Sequence, residues 1–246
     1  MRRAVIQAYV GDIPWWVQKC INSVKAWCAK NDVDYVWYDS AFNTIESRLG
    51  LKNVDHLFYQ KWEWIDATKG YDSLMWVDTD IIVQGNPQFD WQSEFTVEYR
   101  RKVMVDHSLS WPQGGLFFGT RVLEMAQWFI KQSYLPWQER HDTVNYLISV
   151  WNYKQQHQPL SCIHMGNDQS LMGVWIEENG YTDIDRKKYI MWNRRPFDCD
   201  DDCFIHFIGG ESYYGERQPK EVIFQQYLML RMWQKKERLG IAFNKK

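Results

Sequence analysis

Two rhythms of apolar and polar residues alternate from the first residues onward. Ala4 to Tyr9 is a short apolar run with the length of a buried strand. Gly11-Asp12-Ile13-Pro14 then turns the chain, and Pro14 stands near the first turn of a helix, where its missing N–H is no loss. Val17, Cys20, Ile21, Val24, Trp27 and Cys28 recur at helical spacing. Asp34 to Tyr38 predicts a second strand ending at Asp39, and a helix near Leu57 to Lys69 stops at Gly70. Leu74 to Val83 supplies the next strand. Strand–helix–strand–helix–strand is the signature of an open α/β sheet. Ligands on such sheets bind outside the carboxyl ends of the strands, which is where Tyr9, Asp39 and Asp78 fall.

The pattern is more mixed afterwards. Val103 to Val105 reads as a strand, and Gly114-Gly115 precedes another at Leu116 to Phe118. Helices are expected at Val122 to Tyr134 and at Asp142 to Tyr153, and a further one starts near Asn167 and stops at Gly180. Its opening, Asn167-Asp168-Gln169, puts a cap and an acid at the positive end of the helix dipole. Short strands follow near Tyr189 to Trp192 and Phe204 to Phe207, and the segment of about 216–246 is an amphipathic helix rich in Lys and Arg. With no repeat, low-complexity tract or linker, 1–246 is expected to form a single domain.

The strand at Leu74 to Val83 carries the most pointed chemistry. In an extended chain residues i and i+2 share a side, so Asp78 and Asp80 face one point. Two carboxylates held together without a cation repel each other. Hard divalent cations bind one or two carboxylates together with substrate phosphates. The pair therefore reads as a metal–diphosphate site. The alternative is a solvated turn, against which the apolar flanks Leu-Met-Trp-Val and Ile-Ile-Val argue. His206 is the one polar side chain of Cys-Phe-Ile-His-Phe-Ile-Gly-Gly. It is a metal ligand or a satisfied structural residue. Imidazole suits Mn²⁺ better than Mg²⁺, and the glycines would let backbone approach phosphate closely.

Composition narrows the classes. The 246 residues are 45% apolar with a net charge of −2, which argues against broad nucleic-acid binding. Fifteen tryptophans suit sugar stacking, and equally cores and interfaces. Cys20 and Cys28 fall on the apolar stripe of the first helix, while Cys199 and Cys203 flank three Asp without a second pair to complete a zinc site. An odd cysteine count, five, suits a reducing compartment. The start, Met-Arg-Arg-Ala-Val-Ile-Gln, lacks the apolar stretch of a signal peptide, and no run reaches the length of a membrane span. A cytoplasmic location is the expectation. The basic C-terminal helix offers either a weak peripheral contact with an anionic membrane or, as its face Val222, Ile223, Phe224, Tyr227 and Leu230 favours, packing on the domain.

These motifs in this order resemble the GT-A glycosyltransferases that use nucleotide-sugars: Tyr9-Val-Gly-Asp12, Lys61, Val77-Asp78-Thr79-Asp80, Asp106 with Gly114-Gly115, Asn167-Asp168-Gln169, and His206-Phe207-Ile208-Gly209. The nearest likeness is to the retaining families that include glycogenin, the lipopolysaccharide galactosyltransferases, and the α-galactosyl- and xylosyltransferases. The resemblance implies an α/β, Rossmann-like open mixed sheet flanked by helices. It implies transfer of a hexose or pentose from a nucleotide-diphosphate sugar, with UDP favoured, to a glycan, glycoconjugate or other hydroxyl acceptor. Asp78, Asp80 and His206 would hold Mn²⁺ or Mg²⁺. Ala8 and Tyr9 would line the base, Asp12 the ribose, and Lys61 the phosphates or sugar, unless it is an ordinary solvated helix lysine. Asp106, Gly114 and Gly115 would border the transferred sugar, and Gly209 the phosphates. Asp168 would bind sugar hydroxyls, unless it only caps its helix, and Gln169 would lie by the anomeric carbon, which suits retention by a same-face route.

Two positions depart from the family. Its phosphate-binding Lys after His-Phe-x-Gly is Ser212 here, with Arg217 or Lys220 as substitutes, and its Asn before the glycine pair is Gln113. Rival readings are a sugar nucleotidyltransferase, which would carry an early basic Gly-rich loop, and a non-catalytic glycan-binding protein, which leaves Asp78, Asp80 and His206 unexplained. A DNA base as acceptor would draw on Arg100-Arg101-Lys102 and Arg194-Arg195, but the net charge does not favour it.

Overall fold

The computed structural model describes residues 1–42, 56–104, 107–132, 168–185, 187–191, 202–207 and 219–238. These gather into two compact units. The first comprises Met1–Ile13, Cys28–Thr79 and Phe89–Asp185, the second Pro14–Trp27, Asp80–Gln88 and Arg186–Lys246.

The first unit holds strands β1 (Arg3–Ala8), β2 (Asp34–Tyr38), β3 (Ser73–Val77), β5 (Thr96–Met104), β6 (His107–Gly119) and β7 (Thr182–Asp183) in one sheet, ordered β2-β1-β3-β6-β5-β7. β1 pairs in parallel with β2 and β3, and β6 runs antiparallel to β3 and β5. The sheet is therefore mixed, with its parallel half at the N-terminal strands the apolar pattern predicts. Helices α2 (His56–Ala67), α3 (Val122–Gln132) and α4 (Asp168–Asn179) belong to the same unit. Their apolar faces meet the sheet in one core: Trp62 stacks on Phe129 at 3.9 Å and on Phe117 at 5.4 Å, and Trp175 meets Phe95 edge-on at 5.1 Å. Trp62 and Trp175 are almost fully buried, and each contributes about 5 kcal/mol of apolar burial at roughly 200 Å² per indole. Gly119 ends β6 at a φ of +147°, and a Cβ there would lie 2.3 Å from the Glu94 carbonyl oxygen, so no larger residue fits.

The second unit is built on a smaller sheet, β4 (Ile81–Gln84), β9 (Cys203–His206) and β8 (Tyr189–Met191), in the order β4-β9-β8. The first turns of α1 (Trp15–Lys30) and the C-terminal helix α5 (Lys220–Arg238) belong to it. Phe224 of α5 is fully buried against Trp15, Trp16 and Phe207, and Tyr227 packs on Phe207. Ile223, Phe224 and Tyr227 thus turn inward, as the packing reading requires, while Val222 is exposed. Trp27 donates its indole N–H to the Pro87 carbonyl at 3.0 Å and meets Phe204 edge-on.

The structure departs from the sequence reading at the middle strands. Val103 is the next-to-last residue of the nine-residue β5, and Gly114 and Gly115 lie inside the thirteen-residue β6 rather than before a short one. β5 and β6 form a long antiparallel pair whose cross-strand pairing, not local apolar content, extends both strands. α3 covers Val122–Gln132 of the expected Val122 to Tyr134, and positions 133 and 134, like the helix expected at Asp142 to Tyr153, lie outside the described residues. Among the described residues no helix is long and apolar enough to cross a membrane.

Candidate metal centre

β3 is buried along its whole length and stops at Val77. Thr79 and Asp80 form a turn, and Ile81 opens β4, which belongs to the other sheet. Asp78 and Asp80 therefore do not share the face of one continuous strand, and the apolar flanks belong to two strands joined by a turn. The turn holds the carboxylates near each other instead. The Asp78 N–H donates to the Gly115 carbonyl at 2.7 Å, extending the β3–β6 ladder by one residue. Gln7 donates its side-chain amide to the Asp78 carbonyl at 3.2 Å, and Tyr35 donates its hydroxyl to Gln7 at 3.0 Å. The Trp76 indole N–H donates to Asp78 Oδ1 at 2.6 Å.

His206 arrives by strand pairing. It sits opposite Ile81 in the antiparallel β4–β9 register, and the Phe207 N–H donates to the Asp80 carbonyl at 3.0 Å. This places His206 Nε2 3.1 Å from Asp80 Oδ1. Asp78 stands two positions before Asp80 along the chain, and the three side chains each offer one ligand atom, all within 4.8 Å of one another.

Asp80 is 9% exposed. Burial, the largest influence, pushes its carboxyl up, but the His206 and Lys220 groups together outweigh it and hold the carboxyl well below the usual carboxylate range. Oδ2 accepts a hydrogen bond from Lys220 Nζ. Oδ1 has no hydrogen-bond partner among the described residues, because its approach to His206 Nε2 is close but not aligned as one. Burial and then the Asp80 charge push the Cys20 thiol far up, so it is neutral in the metal-free protein. His206 Nδ1 lies 2.7 Å from the Tyr189 hydroxyl. For Nε2 to present a lone pair, Nδ1 must carry the proton and donate it to Tyr189, the outer-shell arrangement that fixes a ligand histidine. A buried oxygen without a donor, a second carboxylate and a tethered imidazole make a donor set that fits Mn²⁺.

The other predicted residues fall into groups. Ala8 and Tyr9 sit half-buried at the carboxyl end of β1, where the Tyr9 N–H donates to the Tyr38 carbonyl at 3.0 Å, and Asp12 is exposed in the turn that follows. Lys61 is not a solvated helix lysine: it is 3% exposed and donates to the Gly114 carbonyl at 3.3 Å, between the rings of Trp62 and Trp76. The structure thus brings Lys61, Gly114, Gly115 and Asp78 together. Asp168 opens α4 with Gln169 behind it, as the sequence predicts, but their side chains lie outside the described residues, as do Asp106, Gly209 and Arg217. Sequence reasoning missed Gln7, Trp76 and Tyr189. Trp76 alone left a signal, a polar-tipped aromatic two positions before the first aspartate.

No family model matches the sequence, and no curated protein matches it. Solved structures do. A glycosyltransferase involved in the glycosylation of the major capsid of PBCV-1 matches with a TM-score of 0.58 at 11% identity, over 93% of this chain and 100% of that one. GlyE of Streptococcus pneumoniae TIGR4 matches with a TM-score of 0.48 at 11% identity, over 99% of this chain and 65% of that one. The galactosyltransferase LgtC gives 0.48 at 8% identity, over 92% and 95%. At these identities the likeness is one of fold, and the first match alone carries it. The chain has the open mixed α/β sheet of a GT-A-type glycosyltransferase.

Proposed function

We propose that this chain is a metal-dependent glycosyltransferase, acting as a single catalytic domain. It moves a hexose or pentose from a nucleotide-diphosphate sugar, with UDP favoured, to a glycan or other hydroxyl acceptor, with retention of configuration. The observation that carries this reading is the Asp78, Asp80 and His206 cluster, placed where β3 ends in a GT-A-type sheet. Bound there, Mn²⁺ would act as a Lewis acid on the diphosphate leaving group.

The chain's own residues do the rest. Tyr9 at the end of β1 would lie along the nucleotide base and Asp12 by the ribose. Lys61, already oriented by Gly114, would meet the phosphates or sugar. Asp106, Gly114 and Gly115 would border the sugar, and Gly209 would let backbone approach the phosphates. Asp168 would grip sugar hydroxyls at the positive end of α4, with Gln169 by the anomeric carbon. The acceptor hydroxyl would then attack from the face the diphosphate leaves. A purely glycan-binding role has less support: Trp16, Trp27, Trp62, Trp64, Trp76, Trp91 and Trp175 are buried and offer no stacking surface, while Trp15 is exposed but donates its indole N–H to Glu221.

The test is hydrolysis of a panel of nucleotide-sugars with EDTA, and then with Mn²⁺ or Mg²⁺ restored. Turnover should vanish with EDTA and return best with Mn²⁺. Asp80→Asn should stay folded and inactive. Full turnover after exhaustive metal removal would sink the assignment.

A further inference from the structure

Trp76 belongs to the core, yet it ends on the metal cluster. It is 4% exposed, and its ring lies parallel to Trp64 at 6.1 Å and 4°. Trp64 in turn stacks on Tyr38 at 6.3 Å and donates its own indole N–H to the Ser40 carbonyl at 3.1 Å. The Trp76 ring is therefore fixed by neighbours that are themselves fixed. Its one polar atom, Nε1, meets Asp78 Oδ1 at 2.6 Å, a short charge-assisted hydrogen bond. Phenylalanine would bury the same ring face with no donor to give. Tryptophan combines a large apolar body with an N–H at its edge. Alternate side chains along a strand share a face, so a tryptophan two residues before Asp78 is placed to make this bond.

We propose that Trp76 is a positioning residue for the metal: its indole N–H locks the Asp78 carboxylate in one rotamer beside Asp80 and His206. The inference rests on the metal-site reading above. A cation then meets a preset ligand rather than a rotating one. Loss of such an outer-shell donor lowers metal affinity by about 10–100-fold. The N–H also withdraws electron density from the carboxylate, which works the other way. Orientation dominates here because the ring has no freedom to yield.

The experiment measures Mn²⁺ binding to the full chain by titration calorimetry, with thermal unfolding alongside, for wild type, Trp76→Phe and Trp64→Phe. Trp76→Phe should weaken Mn²⁺ tenfold or more. Trp64→Phe removes an indole from the same stack but leaves the bond to Asp78, so it should lower the melting temperature and keep wild-type affinity. Unchanged or tighter Mn²⁺ binding by Trp76→Phe, or an equal loss in both variants, overturns the proposal while leaving the metal site standing. A wild type that binds no Mn²⁺ defeats the metal reading itself, and this proposal with it. A second measurement needs no Trp76 variant to fold. With ¹⁵N-labelled tryptophan, one indole N–H resonance should move when Mg²⁺ is added to wild type, and the same resonance should move in metal-free Asp78→Asn. The absence of a shared resonance overturns the assignment.

Discussion

Lys220 sits on the carboxylate that a cation would need. Its ammonium donates to Asp80 Oδ2, and its side chain is 43% exposed against 12% for Asp80. The first turn of α5 holds it there, where the Ile223 N–H reaches back to the Pro219 carbonyl. In metal-free protein the pair is expected to stabilise the fold, and a bound cation would compete with Lys220 for Asp80. Exposed ion pairs contribute about 0–1 kcal/mol, whereas breaking a fully buried one costs about 3–5. A pair with one buried and one half-exposed partner falls between, at about 1–2 kcal/mol after screening. Lys220→Met keeps the apolar stem and removes the charge. It should lower the melting temperature of metal-free protein by roughly 2–8 °C, at about 2–4 °C per kcal/mol for a chain of this size. The same substitution should tighten Mn²⁺, measured without nucleotide, by about 5–30-fold, since tenfold corresponds to about 1.4 kcal/mol. Removing a positive charge beside a divalent cation acts in the same direction. The two readouts move oppositely, which a general loss of packing cannot produce. Weaker or unchanged Mn²⁺ binding in Lys220→Met would refute the competition.

The remaining predictions address the same cluster and the reacting sugar. Asp80 is held below the usual carboxylate range, so the unfolded chain binds its proton first. The stability Asp80 contributes is present above about pH 4 and is lost as the pH falls toward its folded value. Chemical denaturation of metal-free protein from pH 6 downward should show this loss, and Asp80→Asn should lack it. His206→Ala should raise the Mn²⁺ concentration needed for activity before it harms stability; an unchanged metal titration with a lowered melting temperature would make His206 structural instead. Tyr189→Phe removes the acceptor that fixes the His206 tautomer and should weaken Mn²⁺ by about tenfold, read by the same titration. Asp168→Ala should cut kcat far more than nucleotide affinity, and Gln169→Ala should do so more mildly. NMR of the product linkage should show retention, and an inverted linkage would move the catalytic role to a different acid.

The parallel half of the sheet was legible from the chain. β1, β2 and the helix stops at Gly70 and Gly180 follow from local apolar period and turn residues and appear within a residue or two of their expected bounds, whereas β3 begins as expected but stops at Val77 instead of running to Val83, and α5 is described over Lys220–Arg238 of the expected 216–246. Local period carries this information because a strand or helix buries its own side chains face by face. The long antiparallel β5–β6 pair was not legible: its residues extend because they pair with each other, and no single stretch records that. The Asp78, Asp80 and His206 set could be named from motif and order, but the reason for its convergence was misread. An extended chain would have placed the two aspartates on one face. In the structure β3 ends, the chain turns, and β4 leaves in another sheet, where pairing of Ile81 with His206 delivers the imidazole across more than a hundred residues of sequence. The electrostatics are tertiary in the same way. Nothing in Asp78-Thr79-Asp80 says that Lys220 will occupy one oxygen, that the other will be buried without a donor, or that an indole will pin its neighbour. Sequence fixes which groups are available; only packing decides their distances, and charge and metal affinity depend on distance.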